Sequence, residues 1–170
     1  MDFYGSVAEA TAYHESLGNT AWTAAGVTDA QREVALRRGS RALDGIFGPR
    51  LTGAKMTPNQ RLAWGRVGVF DRCANEMLPD GLIPPAVVEA AYELSLVALS
   101  SPSSLTPSVD LSRLTKSEAV DGVGSRSFFG PNELGVDAWA MFRPRVTVTE
   151  DLMACYLKSE LDSRWIARVI

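Results

Sequence analysis

Apolar side chains recur at helical spacing in four stretches of the chain, separated by segments rich in glycine, proline and serine. The spacing predicts helices over residues 6–17, 28–47, 84–99 and 150–161. Capping boxes open the first two helices, consecutive prolines open the third, and Thr149 is placed to cap the fourth. The third helix is apolar enough to be the central element of a small bundle.

The segments between these helices predict loops and one pair of strands. We expect Trp22 to cover the end of the bundle from a short loop, and residues 69–83 to be irregular. A serine- and proline-rich run at 100–108 is typical of a flexible link. Beyond it, residues 111–120 and 125–129 could pair as a hairpin around a glycine-containing turn.

Together these elements predict a mainly α fold: a small bundle of about four helices with a short β-hairpin and an extended C-terminal tail. We expect a helical core over residues 1–100 and a linker with the hairpin and extended region over 101–149. The C-terminal helix and a docking tail then occupy residues 150–170. A chain of 170 residues is long enough to bury a real core.

The segment Gln60–Gly68, here called the joint segment, follows a capping signal at Thr57 that predicts a short helical turn. Its one tryptophan and two arginines within six residues are typical of buried protein contacts. The alternative interpretation is an ordinary loop, which its tryptophan anchors in the core. Both interpretations hold if Trp64 pins the segment to the bundle while Arg61 and Arg66 face a neighbouring subunit.

Charge is distributed unevenly along the chain, although the net charge is only −3. Residues 31–72 carry nine Arg or Lys and three acids, whereas residues 73–112 carry five acids and no Arg or Lys. This pattern fits copies that meet head to tail, or a charged partner. It fits equally a fold that mixes these charges across one surface.

Candidate chemistry is sparse. Cys73 and Cys155 are far apart and outside any Cys-x-x-Cys motif, so we expect two free thiols in a reducing compartment. The single histidine, His14, leaves no set of zinc ligands and no Ser/His/Asp triad, so we expect no metal site, no cofactor and no enzyme activity. No secretory signal and no run of about 20 apolar residues is visible, so we expect no membrane association and a cytosolic site of synthesis.

For nucleic acid the pattern points both ways. The basic segment 31–72 suits phosphates, and Trp22 and Trp64 could stack on bases. A sequence pI of about 5.2, however, argues against a dedicated nucleic-acid-binding protein.

One ordered set of residues runs through positions 4–99. The set comprises Ser6, Val7, Glu9, Ala10, Tyr13, Trp22, Ala35, Leu36, Gln60, Leu62, Trp64, Arg66, Gly68, Ile83, Pro84, Val87, Ala90 and Leu94. In this order it resembles the head-to-tail connector proteins (adaptor or head-completion proteins) of tailed bacteriophages, which are also labelled DnaT-like single-stranded-DNA-binding proteins. Gly65 is a departure, since the family often has proline at that position.

The resemblance implies a structural virion protein with no active site and no cofactor. Such a protein forms a ring, usually a dodecamer, that binds beneath the portal, extends the DNA channel and is the platform for stopper or tail attachment. The implied partners are further copies of the chain, the portal protein, a stopper or tail-completion protein, and the double-stranded genome, which passes without sequence-specific binding. The expected location is the neck of the virion, after assembly in the host cytoplasm. The alternative is a single-stranded-DNA-binding replication accessory protein.

The resemblance also assigns expected roles to particular residues. The chain end at 162–170 is apolar and aromatic and is expected to insert into the portal. Glu89 and Glu93 are candidates to line the channel if the third helix faces inward. The candidate subunit or portal interface consists of Arg61, Trp64, Arg66, Arg164, Trp165, Ile166, Arg168 and Ile170.

Overall fold

A computed structural model describes residues 2–106, 115–119, 125–128 and 145–158 of the chain. Within these residues the protein is mainly helical with small antiparallel hairpins, which confirms the predicted fold class. None of the described helices is both long and apolar enough to cross a membrane. The chain divides into two compact units, 1–105 together with 146–170, and 106–145.

Three of the five α-helices in the described residues begin at the predicted signals; the short helix that holds Trp22 was not predicted, and the last helix begins two residues before its predicted cap, Thr149. Thr28 Oγ1 accepts a hydrogen bond from the Gln31 N–H at 3.3 Å and the Gln31 side chain accepts the Thr28 N–H at 2.8 Å, so this capping box forms. At Ser6 only half of the predicted box forms: Oγ accepts the Glu9 N–H at 3.2 Å, whereas the Ser6 N–H donates to the Tyr92 hydroxyl at 3.4 Å. The consecutive prolines likewise precede the most apolar helix. The helices are α1 (Val7–Ser16), α2 (Thr20–Thr23), α3 (Asp29–Phe47), α4 (Pro85–Ser100) and α5 (Thr147–Met153).

The core lies mainly between α3 and α4. Gly39 of α3 faces α4 so closely that an added Cβ would lie 2.6 Å from the Ser95 backbone nitrogen and 2.8 Å from the Ala91 carbonyl oxygen. The central stripe predicted for α4 (Val87, Ala91, Leu94 and Ala98) is buried, and Ala90, Tyr92 and Ser95 are buried beside it. Trp22 is also fully buried, but it lies in α2 and not in the loop that the sequence predicts.

Between α3 and α4 the chain forms two minimal hairpins. Strand β1 (Ala54–Lys55) pairs with β2 (Arg66–Val67), and β3 (Phe70–Asp71) pairs with β4 (Glu76–Met77). The prediction that residues 69–83 are irregular is therefore wrong where β3 and β4 pair, because runs of two residues are too short to show strand alternation.

The predicted helical turn after Thr57 is absent from this part of the structure. The Gln60 side chain instead accepts a hydrogen bond from the Thr57 N–H at 3.0 Å and donates to the carbonyls of Leu62 at 2.9 Å and Trp64 at 3.0 Å. These bonds satisfy the backbone locally, and so they replace the helical hydrogen-bond pattern.

The last described helix begins and ends earlier than predicted. Helix α5 begins at Thr147 and gives way to a 3-10 turn at Ala154–Tyr156, so the predicted helix over 150–161 is wrong in extent. Leu157 then forms an antiparallel bridge with Leu51. Leu105, within the predicted flexible link, is buried in the core, because one apolar side chain is enough to fix that stretch.

In the second unit, the predicted hairpin is confirmed in its described backbone. Strand β5 (Thr115–Ala119) pairs antiparallel with β6 (Ser125–Phe128), with Ala119 opposite Ser125 and Thr115 opposite Phe128. The register is irregular between Thr115 and Ser117.

Candidate nucleic-acid interface

Three segments that are distant in sequence lie side by side at the end of α3. The Thr52 N–H donates to the Tyr156 carbonyl at 3.1 Å, and the Lys158 N–H donates to the Arg50 carbonyl at 2.7 Å. On the other side, the Arg72 N–H donates to the Cys155 carbonyl at 3.0 Å. These backbone bonds give the three segments a fixed arrangement.

This arrangement brings together three exposed cations, Arg50, Arg72 and Lys158, which we call the basic edge. The Arg72 guanidinium donates to the Leu157 carbonyl at 3.3 Å, and Lys158 Nζ donates to the Pro49 carbonyl at 3.3 Å. A guanidinium has five N–H donors and an ammonium three, so both groups retain donors for a bound anion. The basic edge is therefore a preformed cluster of positive charge.

Arg50 is held differently from the other two cations. Its guanidinium lies 5.6 Å from the centre of the Phe47 ring and pairs with the Glu150 carboxylate at 3.3 Å. The Arg50 side chain is 51% exposed. A surface ion pair of this kind is worth about 1 kcal/mol or less, so an incoming phosphate can compete for the guanidinium.

A disulfide joins two parts of the same region. Cys73 and Cys155 are bonded, with their Cα atoms 5.3 Å apart, and the prediction of two free thiols is wrong. The spacing of the cysteines could not show this, because the fold brings together positions that are 82 residues apart. The Asp71 carboxylate also lies near the sulfurs, but Oδ1 accepts the backbone N–H groups of Cys73 at 2.8 Å and Ala74 at 3.0 Å.

The strand that leads to Arg72 carries an exposed aromatic ring. Phe70, two residues before Arg72, is 37% exposed, and its partner across the hairpin, Met77, is 58% exposed. Trp22 and Trp64, by contrast, are 0% and 4% exposed, so the expectation that they stack on bases is wrong. Both tryptophans have the burial of core residues.

Within the joint segment, the anchoring half of the prediction is confirmed. Leu62 and Trp64 are buried, and the Trp64 ring packs edge-on against Tyr156 with centroids 5.5 Å apart. Arg61 is exposed and pairs with Asp2 at 2.7 Å.

The prediction that Arg66 faces a neighbouring subunit is wrong. Its side chain is buried and donates to the carbonyls of Thr52 at 2.8 Å, Gly53 at 2.7 Å and Ala63 at 3.1 Å. Burial lowers the pKa of this guanidinium, against the raising influence of the Tyr4 and Asp44 side chains. Arg66 therefore holds the loops of its own subunit together.

A buried Tyr4–Asp44 pair fixes the joint segment to α3, and sequence reasoning missed it. The Tyr4 hydroxyl donates to Asp44 Oδ1 at 2.6 Å and accepts the Trp64 N–H at 3.1 Å, while Asp44 Oδ2 accepts the Ala63 N–H at 2.8 Å. Burial raises the pKa of Asp44, and burial together with the Asp44 carboxylate raises the pKa of Tyr4. The only sequence signal was one acid among the apolar positions of α3.

Comparison with known proteins finds one match to the chain as a whole. A protein-family model described as "Putative DnaT-like ssDNA binding protein" matches residues 1–169. The chain belongs to this DnaT-like family. No curated protein and no solved structure matches it.

This membership corrects the connector interpretation. The matching family is described by single-stranded-DNA binding, and nothing supports a virion location, a ring, portal or stopper binding, or a DNA channel. The sequence resemblance was carried by short helical motifs, and such motifs report a fold and not what the fold binds.

The remaining candidate residues of this DnaT-like chain are either engaged internally or outside the described residues. Glu89 and Glu93 lie half-buried on α4, and Glu93 Oε1 accepts the Tyr13 hydroxyl at 2.9 Å. Burial and this hydrogen bond raise the pKa of Tyr13. Arg164, Trp165, Ile166, Arg168 and Ile170 lie outside the described residues.

Proposed function

We propose that the protein binds single-stranded DNA, with the phosphates on the basic edge and a base on Phe70. The observation that carries the proposal is the family match over residues 1–169. The location that we propose is supported by the backbone hydrogen bonds that join the segments of Arg50, Arg72 and Lys158, and by the exposed ring of Phe70 two residues before Arg72.

The chemistry of this surface suits a single strand better than a duplex. A single strand offers both a phosphate chain and unstacked bases, and proteins bind it by combining cations with aromatic platforms. In a duplex the bases are stacked on one another, so Phe70 would have no ring face to contact. The basic edge alone would then supply only weak attraction.

The size of the cluster predicts a modest salt dependence. Each phosphate neutralised on a single strand contributes about −0.7 to the slope of log K against log salt, so three contacts give a slope of about −2. Raising the salt from about 50 to about 200 mM should then weaken binding about 20-fold.

The experiment is fluorescence anisotropy with a labelled oligothymidylate, across a salt series. Arg72→Ala and Lys158→Ala should each reduce the slope by about 0.7. Arg41→Ala, an exposed arginine on α3 away from the basic edge, is the matched control and should leave the slope unchanged.

Phe70 is tested separately at low salt. Phe70→Ala should weaken binding by about 1–3 kcal/mol, because a stacked base loses its aromatic platform. Met77→Ala removes the exposed apolar partner of Phe70 and should change the affinity less than twofold. A wild-type chain that binds no oligothymidylate, or that prefers duplex DNA, would overturn the proposal.

We also infer that the protein acts by binding and not by catalysis. His14, its single histidine, is fully buried between the rings of Tyr13 and Trp22, with Nδ1 3.1 Å from the Asn19 amide. A group enclosed in this way has no access to a substrate proton. Incubation of labelled DNA with the protein and divalent cations should leave the strand intact.

A further inference from the structure

We propose that the Cys73–Cys155 disulfide makes DNA binding at the basic edge depend on redox state, with the oxidised chain binding more tightly. This regulation rests on the single-stranded-DNA binding proposed above. It concerns a covalent bond that joins two of the segments from which the basic edge is built.

The disulfide is placed next to the cations that would contact phosphate. Cys73 follows Arg72 directly, and Cys155 lies three positions before Lys158. Apart from the sulfurs, the links between the two segments include the Arg72 N–H to the Cys155 carbonyl at 3.0 Å, the Arg72 guanidinium to the Leu157 carbonyl at 3.3 Å, and a side-chain hydrogen bond between Asp71 and Tyr156. Two of these hydrogen bonds hold Arg72 itself, and the disulfide at the next residue is the one covalent link that keeps this cation against the Cys155 segment.

Besides its links to the Cys155 segment, the Arg72 side of the bond has mainly local support, such as the Asp71 carboxylate that accepts the Cys73 and Ala74 N–H groups. Residues 72–77 are all exposed, strands β3 and β4 have two residues each, and Asn75 has a φ of 57°. A two-stranded hairpin of this size is marginally stable by itself. Exposed backbone with few buried contacts belongs to the least stable part of a fold.

The Lys158 side is much better fixed. Tyr156 and Leu157 are buried, Leu157 bridges Leu51, and the Lys158 N–H bonds to the Arg50 carbonyl at 2.7 Å. Reduction should therefore release the turn that carries Arg72 and leave Arg50 and Lys158 in place. The basic edge would lose one cation of three.

The reaction is an ordinary thiol–disulfide exchange with a dithiol as the reductant. A thiolate of the dithiol attacks the sulfur of the exposed Cys73, and the Cys155 thiolate leaves. The second thiol of the dithiol then displaces Cys73 and closes a cyclic disulfide. Two electrons pass to the protein, which takes up two protons as the thiolates become thiols.

The test compares the affinity of the full chain for a labelled oligothymidylate in the oxidised state and after reduction by dithiothreitol. Losing one phosphate contact at about 0.1 M salt should weaken binding about fivefold and reduce the salt slope by about 0.7. The double variant Cys73→Ser, Cys155→Ser should bind as the reduced chain does, with or without dithiothreitol. Circular dichroism checks that the variant keeps its helices.

A second variant keeps the test decisive if the double variant does not fold. Oxidised Arg72→Ala should already have the lower affinity, and reduction should not weaken it further. Equal affinities of the oxidised and reduced wild-type chains would overturn the redox dependence alone. An oxidised wild-type chain that binds no DNA would overturn the proposed function and the regulation with it.

Amide hydrogen exchange separates these failures without DNA. Reduction should speed exchange at residues 70–77 and leave that of 50–52 unchanged. Unchanged exchange at 70–77 would show that the disulfide does not hold this turn, and would overturn the mechanism whatever the DNA affinity.

Discussion

The contact between α3 and α4 makes a sharp prediction for Gly39→Ala. An added Cβ would lie 2.6 Å from the Ser95 nitrogen and 2.8 Å from the Ala91 carbonyl oxygen, both of them backbone atoms of α4. Backbone of a buried helix cannot move aside as a side chain can, so the two helices must separate. Overpacking of this kind costs about 3 kcal/mol at the upper end of its usual range. Replacing glycine by alanine within a helix stabilises it by about 1 kcal/mol, so the net loss of stability is about 2 kcal/mol.

Gly45→Ala is the matched control, because Gly45 lies on the same helix and is exposed. There the helix propensity acts alone, and the variant should gain up to about 1 kcal/mol. The two variants should thus differ by about 3 kcal/mol in the free energy of unfolding, measured by urea denaturation. For a chain of this size that is a difference of roughly 6–12 °C in Tm. If both alanines stabilise the protein equally, the close approach of α3 to α4 is wrong.

Three further predictions concern Arg66, His14 and the disulfide. Arg66→Glu should destabilise the chain by about 2–4 kcal/mol, since three carbonyls lose their donor. Arg61→Glu, on the surface, should cost less than about 1 kcal/mol. Equal losses of stability for the two variants in urea unfolding would contradict the burial of Arg66. Burial lowers the pKa of His14, although the Glu93 carboxylate opposes the shift. The unfolded chain therefore takes up the proton first, and stability should be lost as the pH falls below about 6.5. Between pH 7 and 5, His14→Gln should lose less stability than the wild type. Equal slopes of the free energy of unfolding against pH for the two proteins would refute this prediction. Replacing both cysteines by serine should cost up to about 4.5 kcal/mol against the oxidised chain, in the loop-entropy relation, and nothing against the chain in dithiothreitol.

Local signals carried the parts of the fold that were predicted correctly. The Ser6 and Thr28 caps and the prolines at the start of α4 act within a few residues, so the sequence shows them directly. The apolar stripe of α4 likewise reports its own burial. Errors appeared where a distant contact decides the local structure, as at Leu157, whose bridge to Leu51 follows the end of the C-terminal helix.

The candidate site could not be predicted for the same reason. Arg50, Arg72 and Lys158 are separated by 22 and 86 positions in the sequence, and no spacing rule relates them. Arginine composition alone does not say whether a guanidinium serves the subunit or a partner. Arg66 and Arg61 belong to the same short segment, yet one binds carbonyls inside the fold and the other lies on the surface.

The acidic pI was the main sequence argument against nucleic-acid binding, and the structure shows why it does not decide the question. A phosphate is attracted by the charges within about one Debye length, which is roughly 8 Å at physiological salt. More distant acids contribute to the pI but are largely screened at the basic edge. What matters there is the local arrangement of three cations and the two carboxylates near them, Glu150, which pairs with Arg50, and Asp71, which accepts backbone N–H groups of its own turn. A chain with a net charge of −3 can therefore present a local positive surface to a single strand, and the salt slope of binding should follow that local count.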